Sequence, residues 1–144
     1  MNTLTPTQVK SLEIVGLHGL ADGIDTQKLD AFLDQAFELV GAVGTVVCTL
    51  MNDRVLRLQS RETILQELEM PLAKTKLRML CARLAVRCSE WSHREVSPYG
   101  DVVDVEFPLT NQRCKVSFEN TPASQKFVLE DNSTPRPSET APAA

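Results

Sequence analysis

The stretch SEWSHREVSPYGD, residues 89–101, gathers more groups capable of chemistry than any other. It holds Glu90, His93, Arg94, Glu95, Ser97, Tyr99 and Asp101, beside the single Trp91. A histidine near carboxylates can serve as a general base, and loops set on a rigid scaffold often carry function. An enzyme centred on His93 and Glu95 is one reading. The simpler one is structural: SPYG is a turn, and Trp91 and Tyr99 plug the junction between a helix and a sheet.

Other familiar chemistries lack support. The second of the two histidines, His18, stands alone, and no H-E-x-x-H, G-x-S-x-G, P-loop or G-x-G-x-x-G pattern occurs. Cys48, Cys81, Cys88 and Cys114 form no C-x-x-C pair, so zinc and redox chemistry are not indicated. All four read as reduced core residues, because a free cysteine behaves as a small hydrophobe. The DGID turn matches a calcium loop only in outline. With Gly23 central, its first, third and twelfth positions would be His18, Leu20 and Leu29, which supply no acidic ligands. We expect no cofactor and no metal.

A second feature is electrostatic. AKTKLRMLCARLAVRC, residues 73–88, carries Lys74, Lys76, Arg78, Arg83 and Arg87 and no acid, in a chain of net charge −4. On a helical wheel Ala73, Leu77, Leu80, Cys81, Leu84, Cys88 and Trp91 share one sector, a core face. Lys76, Arg83 and Arg87 line one flank, and Lys74 and Arg78 the other. Opposite the core lie Met79, Ala82 and Val86, a second apolar strip. A surface helix does not need that strip. Either the helix is central, covered on both sides by the rest of the domain, or the strip is an interface for a second copy or another protein.

The elements that position these residues can be read in turn. Thr5, Pro6 and Gln8 open a first helix with a capping box. ADGID is a turn, after which Asp25 or Thr26 caps a second helix with Leu29, Phe32, Leu33, Ala36, Phe37 and Val40 inward. Its Asp30, Asp34 and Glu38 form an acidic stripe, either a solvated face or a surface that meets the basic segment. Residues 45–59 predict a hairpin turning at Asn52-Asp53. Ser60 predicts the cap of a short helix over RETILQEL, with Ile64, Leu65 and Leu68 inward. Pro71 then takes the first position of a helix running to about Trp91.

The C-terminal third changes period. Residues 102–107, 113–119 and 125–130 alternate and read as a three-stranded antiparallel meander with one buried face. The exposed side of its first strand is acidic and that of the second basic, which favours this pairing over a slipped one. From Asp131 onward the chain is rich in Pro, Ser and Ala and reads as a disordered tail.

The expectation is therefore one α+β domain over residues 1–130. N-terminal helices and a central basic helix pack on the C-terminal three-stranded antiparallel meander, extended by the 45–59 hairpin. With 42% hydrophobic and 24% charged residues the composition is globular. No stretch is long and apolar enough for a membrane span and no secretory leader is evident, so a cytoplasmic protein without membrane association is expected. The leading functional reading is a small non-enzymatic interaction module, homodimeric or binding another protein, using Lys76, Met79, Ala82, Arg83, Val86 and Arg87. The alternative is a winged-helix-like nucleic-acid binder, in which Lys74, Lys76, Arg78 and Arg83 would face phosphate and bases. Against it stand Asp101, Asp104 and Glu106 in the following hairpin, the acidic overall charge, and seven acids against two bases in residues 1–53.

Overall fold

The computed structural model describes residues 17–21, 25–107 and 112–132. The capping box at Thr5 and the tail beyond Asn132 lie outside these residues. A single turn, α1 (His18–Ala21), precedes α2 (Thr26–Val43). Asp25 is the residue that caps α2, its Oδ1 accepting the Lys28 N–H at 2.8 Å. All six expected apolar positions of α2 are buried, joined by Leu39 and Val43. Gly44 ends the helix at φ 89° while its N–H reaches the Val40 carbonyl at 2.8 Å. A side chain with a Cβ rarely adopts that φ, which is why glycine stands there.

The hairpin forms as expected, from β1 (Thr45–Met51) and β2 (Val55–Ser60). Asn52 and Asp53 both take positive φ, the sign pattern of a type I′ turn that suits the twist of paired strands. The next segment overturns the expectation of a short helix capped by Ser60. Residues Thr63–Glu69 are a strand, β3, paired antiparallel with β2. Leu58 faces Gln66 but Gln59 faces Ile64, so Leu65 is an extra residue in a β-bulge. The bulge breaks the alternation and leaves Ile64, Leu65 and Leu68 at a spacing that mimics a helical face. Ile64 is exposed rather than inward.

The long helix, α3 (Ala73–Ser92), starts two residues later than Pro71. Leu72 precedes it in a left-handed conformation, φ 57°, with no side-chain cap, and Pro71 lies in the preceding turn. The C-terminal meander forms from β4 (Gly100–Glu106), β5 (Arg113–Asn120) and β6 (Gln125–Asp131). Asp131, expected to begin the tail, is instead the last residue of β6. The expected charge pairing is present, with Asp104 opposite Lys115 and Glu106 opposite Arg113.

The sheet has six strands, not three or five, in the order β3-β2-β1-β6-β5-β4 with every neighbour antiparallel. Two meanders, β1-β2-β3 and β4-β5-β6, are joined by the β1–β6 ladder, and α3 is the connection between them. Val46 and Cys48, Leu56 and Leu58, Val103 and Val105, Cys114, Val116 and Phe118, and Phe127 and Leu129 project from one sheet face into the core. Helices α2 and α3 pack side by side on that face, and α3 touches strands of both meanders. No helix among the described residues is long and apolar enough to cross a membrane.

Candidate functional site

Helix α3 presents its two sides to different surroundings. Ala73, Leu77, Leu80, Cys81, Leu84 and Cys88 are buried as expected, together with Ala85. The flank facing α2 explains much of the basic charge. Arg83 grips Asp30 with two hydrogen bonds, Nε to Oδ1 at 2.8 Å and Nη2 to Oδ2 at 3.0 Å. Arg87 Nη2 donates to Asp34 Oδ1 at 2.8 Å, and its Nη1 lies 3.7 Å from Asp30. The Arg87 guanidinium also lies 5.1 Å from the Phe37 ring centre and 5.0 Å from that of Trp91, within cation–π range. The Arg83 hydrogen bonds, helped by the nearby positive charges of Arg83 and Arg87, hold the Asp30 carboxyl below its ordinary range. Lys76 is 5% exposed, and its Nζ donates to the Ala21 carbonyl at 3.3 Å. Asp30 and Asp34 of the acidic stripe of α2 thus meet the basic segment, while Glu38 is exposed.

The second strip is not covered by the other described residues. Met79 is 38% exposed, Val86 49%, and Ala82 is exposed between them. This corrects the expectation of a central helix packed on both sides: α2 lies beside α3, not over it. Of the six residues assigned to interaction, Met79, Ala82 and Val86 face outward, while Lys76, Arg83 and Arg87 are engaged by α1 and α2. A further exposed apolar residue stands just ahead of the helix. Leu72 is 71% exposed, and Leu72, Met79 and Val86 recur every seven residues, with the small Thr75 and Ala82 between. The seven-residue spacing is the sequence signal for Leu72, which the structure sets just ahead of the helix rather than within it. Leu72 also borders an open depression of about 410 Å³ lined by Asp53, Arg54, Glu69, Met70 and Pro71.

The nucleic-acid reading loses its scaffold in part. Its outline needs a helix before the turn at Pro71, and β3 stands there instead. Lys74 and Arg78 remain on the outer side of α3, whereas Lys76 and Arg83 are turned to Ala21 and Asp30.

The loop after α3 is held together by its own side chains. Arg94 donates to both Asp101 oxygens, at 3.1 and 3.2 Å, to the Val102 carbonyl at 2.9 Å and to the Glu95 carbonyl at 3.0 Å. The Arg94 hydrogen bonds first, then the N–H groups of Ser97 and Val102, push the Asp101 carboxyl far below the ordinary carboxylate range. Ser89 Oγ donates to the Ala85 carbonyl and accepts the Val96 N–H at 2.9 Å. His93 and Glu95 are both exposed. The aromatic plug consists of Trp91 with Phe37 and Phe107, at ring separations of 5.6 and 5.5 Å. Tyr99, expected in it, is 68% exposed.

All four cysteines are buried and unbridged. Burial pushes the thiols of Cys81, Cys88 and Cys114 up to about 12, and that of Cys48 still higher. Neutral thiols in apolar surroundings are poor nucleophiles and poor ligands. No cluster of three metal-binding side chains occurs among the described residues. Comparison with protein-family models, with curated proteins and with solved structures finds no match to this chain.

Proposed function

We propose that this chain is a small non-enzymatic interaction module that docks a protein, a second copy or another chain, through the outward face of α3. One observation carries the reading. The helix already has a complete core face and a flank satisfied by α2, yet it keeps Met79, Ala82 and Val86 in solvent on one face, with the exposed Leu72 just ahead of its first turn. Single exposed apolar residues are ordinary, but an aligned set on one helix marks a docking seam. A left-handed, exposed Leu72 adds to the case, since bulky residues adopt that conformation at a cost.

Photo-cross-linking in the cells of origin tests it. A photoreactive side chain at position 79 or 86 is expected to trap a discrete protein adduct, while the same group at Glu119, on the uncovered sheet face, traps none. Absence of any adduct at both helix positions would sink the proposal. Light scattering of the pure protein then tells a self-interface from a foreign one.

A further inference from the structure

We infer that the partner is an acidic amphipathic helix of another protein rather than a second copy of this chain. The inference rests on the reading of the α3 face as an interface and names what covers it. The cations of α3 divide into two sets. Lys76, Arg83 and Arg87 are engaged by Ala21, Asp30 and Asp34. Lys74 and Arg78, one turn apart on the flank away from α2, have no charged partner among the described residues. The single acid of α3, Glu90, falls on the opposite flank, where its charge acts on Arg83. The flank of the strip away from α2 therefore carries unbalanced positive charge, while Glu90 borders its other flank and Asp53 and Glu69 lie beside Leu72, in a chain of net charge −4.

Symmetry disfavours a second copy. Two antiparallel copies related by a two-fold axis bring the same flank of each helix together, so Lys74 and Arg78 face their own counterparts. Two parallel copies set that flank against Arg83 and Arg87, whose carboxylates are already bonded. Neither arrangement sets an acid of α3 opposite Lys74 or Arg78, because Glu90 lies about 18 Å further along the helix than Arg78. A foreign helix with leucine-like residues every three and four positions would seat between Leu72, Met79 and Val86, and the small Thr75 and Ala82 permit close approach. Acids along one of its flanks would meet Lys74 and Arg78 and set its orientation.

The probes are two synthetic helical peptides of about three heptads. They share a leucine seam and differ only in flanks of glutamate or of lysine. Fluorescence anisotropy is expected to show the glutamate peptide binding about tenfold or more tightly than the lysine peptide, with affinity falling as salt rises. Arg78→Glu should reverse the preference and Val86→Glu should abolish binding of both. These side chains are exposed, so both variants should keep the wild-type circular dichroism and melting curve. Equal binding of the two peptides, a preference for lysine, or no binding overturns the acidic partner. A wild-type dimer that Val86→Glu converts to monomer also overturns it, yet leaves the interface reading standing. If Val86→Glu changes neither peptide binding nor oligomeric state, that reading falls as well.

Discussion

Arg83 and Arg87 show what the concentrated positive charge does at the scale of a residue. Each long side chain lays its stem along α3 and delivers its head to a carboxylate one helix away, so the α2–α3 contact has a fixed register as well as an apolar filling. The pairs are partly open to water, and such pairs contribute only about 0.2–1 kcal/mol each after screening. Their clearest signature is in acid. Asp30 is held below its ordinary value of about 3.9 by Arg83 and Arg87, so the folded state binds its proton less readily than the unfolded chain. The stability this contributes is fully present above that ordinary value and is lost as pH falls through the depressed one. Asp30→Asn should lower stability near neutrality and give a shallower decline below about pH 4 than wild type. Urea titrations at several acidic pH values measure both slopes; equal slopes would remove Asp30 from the account.

At the scale of an element, the contrast between β3 and the other strands explains what is legible in the sequence. The C-terminal meander can be read because Val103, Val105 and Phe107 alternate cleanly with acids, and Cys114, Val116 and Phe118 with polar residues. Helix α2 and the core face of α3 follow from their spacing. The strand at 63–69 does not, because a single bulged residue, Leu65, shifts the phase of the pattern and its pairing with β2 is a long-range fact. The candidate seam is half legible. The wheel sets Met79, Ala82 and Val86 opposite the core, but which flank finds acids depends on where α2 lies, and no local pattern tells that. Local chemistry is most reliable at the turn between β1 and β2. Asn52 and Asp53 both carry positive φ, and aspartate at the second position costs more than glycine would. Asp53→Gly should therefore raise stability by about 0.5–1 kcal/mol, read as a higher melting temperature. A lower melting temperature would mean that the Asp53 side chain makes a contact worth more than the backbone strain.

The whole molecule is two three-stranded meanders made into one by a single ladder, β1 against β6, and by the helix that crosses both. Cys48 pairs with Phe127 across that ladder, Val46 with Leu129, and α3 lays Cys81 and Cys88 over the result. The two halves then share one core, so neither meander should open without exposing the underside of α3. The thiols report on this directly. Cys48 belongs to one meander, Cys114 to the other, and Cys81 and Cys88 to the connecting helix, and all four are fully buried. Burial also keeps them protonated, with three raised to about 12, so a thiol reagent meets almost no thiolate until the chain opens. In the native protein all four should resist an aromatic disulfide reagent and then react at one common rate, which equals the global unfolding rate when reagent is in excess. Mass spectrometry of partly labelled samples should show unmodified and fourfold-modified chains with few species between. Early labelling of Cys114 alone, or of Cys48 alone, would mean that one meander unfolds as a separate unit and that the β1–β6 ladder does not couple them.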